Sequence, residues 1–222
     1  MKKALLAFLL TICGAAQASV TVGHYDSGNC YPYSCLASDS NGIEYQQVFS
    51  STLFPSSGTI NSISVYQSQG GMMDSATYTL YLSTTSKTVG ALDTINPANN
   101  IGANNALFGS YTLGGTMPSV LTLTGAAFNY DPMLGNLLLD VVISGLTSAN
   151  GYQSFFQADY SGSETSRLWT TKFGSNQGTG ALVTTFDFVP TAVPEPSSLA
   201  LLGLGLAFAG IAGSRRKGKT KA

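Results

Sequence analysis

Apolar and polar positions alternate through most of this chain. Ile43, Tyr45, Gln47 and Phe49 share one parity, as do Ile63, Val65 and Gln67. Tyr78, Leu80 and Leu82 alternate with Thr77, Thr79 and Tyr81, and Leu121 and Leu123 alternate with threonines. A period of two is the signature of a strand with one buried face. Leu137, Leu139, Val141 and Ile143 keep that period, but Leu138 and Val142 are also apolar, which predicts a central strand covered on both faces. Phe155, Leu168, Trp169, Val183, Phe186 and Phe188 mark later strands. The breaks carry turn chemistry: Pro55-Ser56-Ser57-Gly58, Gln69-Gly70-Gly71, Gly114-Gly115, Asp131-Pro132, Asn150-Gly151 and Gly178-Thr179-Gly180. Asp93 to Asn105 reads as a long polar loop. No stretch between Ser19 and Pro190 shows a helical apolar period. About eight to ten strands without helices predict an all-β fold, a single antiparallel two-sheet sandwich, jelly-roll-like, over residues 19–190.

The ends follow other rules. Lys2 and Lys3, the apolar run Ala4 to Ile12 and the small-x-small triplet Ala16-Gln17-Ala18 read as a signal peptide over residues 1–18. Signal peptidase would cut between Ala18 and Ser19. Residues 191–222 read as a linker, a membrane helix and a basic tail. The apolar run Ser197 to Gly213 reaches about 25 Å at ~1.5 Å per residue, slightly short of a ~30 Å hydrocarbon layer. Flanking cations can snorkel to make up the difference. Arg215, Arg216, Lys217, Lys219 and Lys221 follow it, which predicts a cytoplasmic tail and an exported domain.

Val193-Pro194-Glu195-Pro196, then Leu199-Ala200-Leu201-Leu202-Gly203-Leu204-Gly205-Leu206, then Arg215-Arg216-Lys217 resembles the PEP-CTERM sorting signal of exported proteins in polysaccharide-producing Gram-negative bacteria. The resemblance implies that an exosortase, a multi-pass membrane enzyme, recognises the region of Pro194, Glu195 and Pro196. It also implies cleavage there, with an inner-membrane-anchored precursor and a mature protein at the surface or in the extracellular matrix. The stretch Phe128-Asn129-Tyr130-Asp131-Pro132 through Gly135-Asn136-Leu137-Leu138-Leu139-Asp140-Val141 resembles segments of other domains that carry this signal, in line with a shared sandwich.

Charge is unevenly placed. Residues 19–190 hold three cations (Lys87, Arg167, Lys172) and ten acids, a net of −7 with His24 neutral, which the whole-chain value of −1 conceals. An acidic domain argues against nucleic acid and anionic lipid as partners. With Cys13 removed in the signal peptide, Cys30 and Cys35 remain as a close pair, read as a disulfide in an oxidising compartment.

Catalytic signals are sparse. His24 is the only histidine and no G-x-S-x-G elbow occurs. A glycosidase would need two carboxylates across a cleft, and Asp131 with Asp140 is the pair that a turn and its following strand would present together. No cofactor is implied beyond a structural Ca²⁺, whose candidate ligands are Asp26, Asp39 and Glu44, with Asn29 and Asn41 among them. Tyr31 and Tyr33, in the polar loop between the cysteines, are the rings expected to be exposed as stacking platforms for a glycan. The sequence therefore predicts a non-enzymatic surface or matrix protein contributing adhesion or glycan association. A secreted carboxylate-dependent polysaccharide hydrolase and a purely structural coat protein stand beside it as alternatives.

Overall fold

The computed structural model describes residues 18–35, 43–148 and 151–191. The chain divides after Thr191 into two units, and the second, with the expected membrane helix and basic tail, lies outside the described residues. The signal peptide through Gln17 and residue Asp39 lie outside them too. Among the described residues no helix is long and apolar enough to cross a membrane.

Thirteen strands are described. They are β1 (Ala18–Val22), β2 (Ser27–Asn29), β3 (Glu44–Phe49), β4 (Gly58–Gln69), β5 (Met72–Thr85), β6 (Ala106–Thr116) and β7 (Val120–Tyr130). The series continues with β8 (Asn136–Thr147), β9 (Phe155–Asp159), β10 (Thr165–Thr171), β11 (Gly174–Gly178), β12 (Ala181–Leu182) and β13 (Thr184–Pro190). The helical pieces among the described residues are short 3₁₀ turns, such as Pro97–Asn100 and Pro132–Leu134.

The strands form two antiparallel sheets. The seven-stranded sheet runs β1-β13-β4-β9-β12, with β7 on β4 and β2 on β9; the six-stranded sheet runs β11-β10-β3-β8-β5-β6. Four pairings are nested. Strand β5 pairs with β6, β4 with β7, β3 with β8, and β1 with β13. The chain is thus one long hairpin wound up on itself, and the lateral pairs β13–β4 and β8–β5 fasten the roll. Strands β9 to β12 form an insert between β8 and β13. They widen both sheets at one side, β10 against β3 and β9 against the far end of β4.

The main core lies between the sheets, where alternation sends Tyr45, Phe49, Ile60, Ile63, Tyr78, Leu80, Leu82, Phe186 and Phe188 to zero or near-zero exposure. Aromatic rings fill one end. Phe54 meets Tyr130 at 4.8 Å and Phe188 at 5.6 Å, and Phe49 meets Phe186 edge-on at 5.0 Å between centroids. Gln47 is buried among them with its amide satisfied. Its Oε1 accepts from Tyr45 Oη (2.7 Å) and Leu182 N (3.0 Å), and its Nε2 donates to the Leu182 carbonyl (2.8 Å). That amide ties β3 of one sheet to β12 of the other, and it costs little because each buried polar atom keeps a partner.

A second, smaller core sits on the outer face of the six-stranded sheet. Val48, Leu138 and Leu168 are buried there under Leu92, with Val89 and Ile101 packed against them. This is why β8 is apolar on both parities. The cover stops short of Val142, which is 42% exposed.

Candidate functional site

The first and last strands of the roll are paired. Ala18 lies opposite Phe188 and Ser19 opposite Asp187, so the start of β1 stands beside the end of β13. The expected signal-peptidase cut, between Ala18 and Ser19, therefore falls at the first rung of β1. Strand β13 ends at Pro190, and Thr191 N donates to the Ser57 carbonyl at 2.9 Å. At the same end Asp131 Oδ1 accepts from Met133 N (3.0 Å), capping the turn that leaves Met133 and Leu134 90% and 74% exposed. A cleft of about 540 Å³ opens there, lined by Ser51, Phe54, Pro55, Asp131 and Met133. A smaller one of about 160 Å³ includes Thr191, Tyr130 and Leu134.

The cysteines pair as the sequence suggests: Cys30 and Cys35 form a disulfide with their Cα atoms 5.7 Å apart. The rings between them are not both free. Tyr33 is 2% exposed and packs on Tyr78 (5.1 Å) and Phe156 (5.4 Å). The expectation that it is an exposed platform is corrected: the loop turns into the open side of the sandwich and uses this ring to fill it. Tyr31 is half-buried, its ring tilted 42° to that of Trp169 with the centroids 5.9 Å apart. The Arg167 guanidinium lies over both rings, 5.4 Å from that of Tyr31 and 4.5 Å from that of Trp169. It donates to the Thr179 carbonyl (3.0 Å) and Asn29 Oδ1 (3.2 Å), while Asn29 Nδ2 donates to the Gly180 carbonyl (2.7 Å). These contacts lock the disulfide loop onto the β9–β12 insert. Among the described residues the most exposed aromatic rings are instead Tyr152 at 90% and Phe173 at 79%, each in a turn where no alternation singles it out.

Most acids serve the fold. Asp26 Oδ2 accepts from Tyr160 N (2.8 Å), Glu164 Oε2 from Gly23 N (3.1 Å), and Asp159 from Ser161 N (2.7 Å) and His24 N (3.3 Å). Of the candidate calcium ligands, Asp26 precedes β2 in one sheet and Glu44 opens β3 in the other. Among the described residues no three metal-ligating side chains of the His, Cys, Asp or Glu type gather.

Asp131 and Asp140 are not presented together. Asp131 caps a turn at the end of the roll, whereas Asp140 is 4% exposed within β8, directly opposite Gln46 on β3. The carboxyl within reach of Asp140 is that of Glu44, one step along the same outer face. Burial, and then the neighbouring Glu44 charge, push Asp140 up to about 7. Sequence reasoning missed this pair because its members lie on strands far apart in the chain. The parity of Glu44 and Asp140 on the outward faces of β3 and β8 was the available signal. As a glycosidase pair they are badly placed, since such carboxyls stand about 5–9.5 Å apart across a cleft. These two touch, and neither cleft at the end of the roll includes them.

Residues 192–217 match the family model of the PEP-CTERM protein-sorting motif. The match includes Pro194, Glu195, Pro196, Arg215, Arg216 and Lys217, all outside the described residues. The motif implies an exported protein processed at the membrane by an exosortase. No curated protein and no solved structure matches the chain.

Proposed function

We propose that this chain is a non-catalytic surface or extracellular-matrix protein, a jelly-roll sandwich delivered by an exosortase and contributing adhesion or glycan association. The observation that carries the reading is the sorting motif, which begins at residue 192, two residues after β13 ends. The jelly-roll assignment draws on the paths β1-β13-β4-β7 and β3-β8-β5-β6, two four-stranded sheets wound from a single nested hairpin. The adhesive role draws on acidic composition and on the exposed rings of Tyr152 and Phe173, which suit stacking on sugar faces. The hydrolase alternative loses weight because Asp140 of its best carboxylate pair is buried and neither cleft at the end of the roll holds the pair.

The test is the intact mass of the protein recovered from its native host. The expected species starts at Ser19 and ends near Pro194, with any adduct naming what it is joined to. A species running to Ala222 refutes exosortase cleavage, and Pro194→Ala with Glu195→Ala should convert the first pattern to the second. For the glycan role, Tyr152→Ala with Phe173→Ala should weaken retention on host polysaccharide; unchanged retention removes those rings as the platform.

A further inference from the structure

We propose that Glu44 and Asp140 form a calcium-binding site on the outer face of the six-stranded sheet, beneath the loop that carries Pro97. Both side chains lie on that face because Glu44 and Gln46 share a parity on β3, and Gln46 is directly opposite Asp140 on β8. Two carboxylates in contact repel each other unless a proton or a cation lies between them. Asp140 is buried, yet its Oδ1 has no hydrogen-bond partner. A buried carboxylate oxygen without a partner is rare in a native fold and calls for an explanation, an unseen ion among them.

The surroundings supply further oxygen. Gln46 Nε2 donates to Glu44 Oε1 (2.9 Å) and to the Pro97 carbonyl (3.2 Å). One amide nitrogen thus stands where two oxygens converge, giving them a partial positive charge. A cation that displaces it would find Glu44, Asp140 and the Pro97 carbonyl as its first ligands, with water completing the shell. Hard oxygen donors from two carboxylates and a carbonyl suit Ca²⁺. Mg²⁺ demands a tighter octahedron and gives up water reluctantly. Glu44 is only partly buried, which leaves a way in. The loop is already organised around Asp93, whose carboxylate accepts from Ile95 N (3.0 Å), Asn96 N (2.9 Å) and Asn99 Nδ2 (2.9 Å). Asn100 Nδ2 donates to Gln46 Oε1 at 2.8 Å. Calcium would pin this loop to β3 and β8 through a third point.

The site is independent of the sorting reading, because nothing in the 192–217 motif enters it. The experiment is thermal unfolding of the purified full chain in chelator and in about 10 mM CaCl₂, with MgCl₂ as the comparison. Extracellular calcium modules bind with Kd of about 10⁻⁴–10⁻³ M. At a hundredfold excess over Kd the melting temperature should rise by about 5–10 °C. Asp140→Asn and Glu44→Gln should each lose that rise. Asn and Gln keep the side-chain volume, so at least one of the two should fold. Two results would overturn the proposal: a wild-type melting temperature that calcium leaves within about 1 °C of the chelator value, or a full calcium shift that survives in both variants.

Discussion

Replacing Arg167 with methionine removes a charge while keeping most of the stem, and the structure fixes what is lost. The guanidinium donates two hydrogen bonds, to the Thr179 carbonyl and Asn29 Oδ1, each worth about 1.5–3 kcal/mol for a charged donor. It also faces two rings, Tyr31 and Trp169, at about 1–2 kcal/mol each where water is excluded. Against this gross gain stands the desolvation of a guanidinium that is only 9% exposed, several kcal/mol on its own. Asn29 Oδ1 keeps a second donor, Tyr31 N at 3.1 Å, so the main orphan is the Thr179 carbonyl. The net loss for Arg167→Met should be about 2–4 kcal/mol. Urea unfolding of the full chain, followed by far-ultraviolet circular dichroism, should show a lower midpoint at unchanged slope. A double-mutant cycle with Trp169→Leu should give a coupling of about 1 kcal/mol. If Arg167→Met is neutral or stabilising, the charge is held there at a net cost, and the disulfide loop is anchored by its other contacts.

Three further outcomes follow from the packing. Burial raises the phenols of Tyr33, Tyr45, Tyr78 and Tyr130 far above the ordinary tyrosine value. Their contribution to stability is therefore full below about pH 10 and lost as pH climbs beyond it. Phenolate absorbance should show these four missing until a cooperative alkaline unfolding; smooth ionisation of all eleven tyrosines in a native fold would contradict the burial. A Cβ on Gly102 would lie 1.8 Å from the Thr84 carbonyl oxygen, so Gly102→Ala should push the loop off β5 and cost about 1–3 kcal/mol, read as a lower melting temperature. Cys30→Ser should cost only about 2 kcal/mol, because the loop it closes is short; a native-like melt in reducing buffer checks this.

The long strands were legible because one face of each is dry. Tyr45, Gln47 and Phe49 point inward as their parity requires, and β5 alternates along most of its length. Strands β2, β11 and β12 were not legible. Ser27–Asn29 and Gly174–Gly178 are glycine, serine, asparagine and glutamine, and join their sheets through backbone hydrogen bonds that leave no side-chain period. The composition from Asp93 to Asn105 predicts a polar loop, but nothing in it says that the segment folds back over Leu138 and Leu168. Leu92 just before the loop and Ile101 within it do the packing, but the sequence does not separate them from Ile95, which is 96% exposed. Tyr33 misled for the opposite reason: a polar loop of turn residues can still deliver one ring to a core when a disulfide holds it at the gap between two sheets.

The pairing of β1 with β13 also sets an order of events during secretion. Thr21 Oγ1 meets Thr185 Oγ1 at 2.7 Å across 164 residues of sequence. An amino-terminal strand that leaves the translocation channel first must therefore wait for almost the whole domain before it gains its partner. Until then Ser19 has no strand beside it; afterwards it lies opposite Asp187 of β13. The strand that completes the pairing is also the last one before the sorting motif, which begins two residues after it. A chain cut short anywhere before β13 would arrive without either its closing strand or its address. Secretion intermediates stalled ahead of residue 184 should therefore lack the partner of β1 and remain protease-sensitive along that strand.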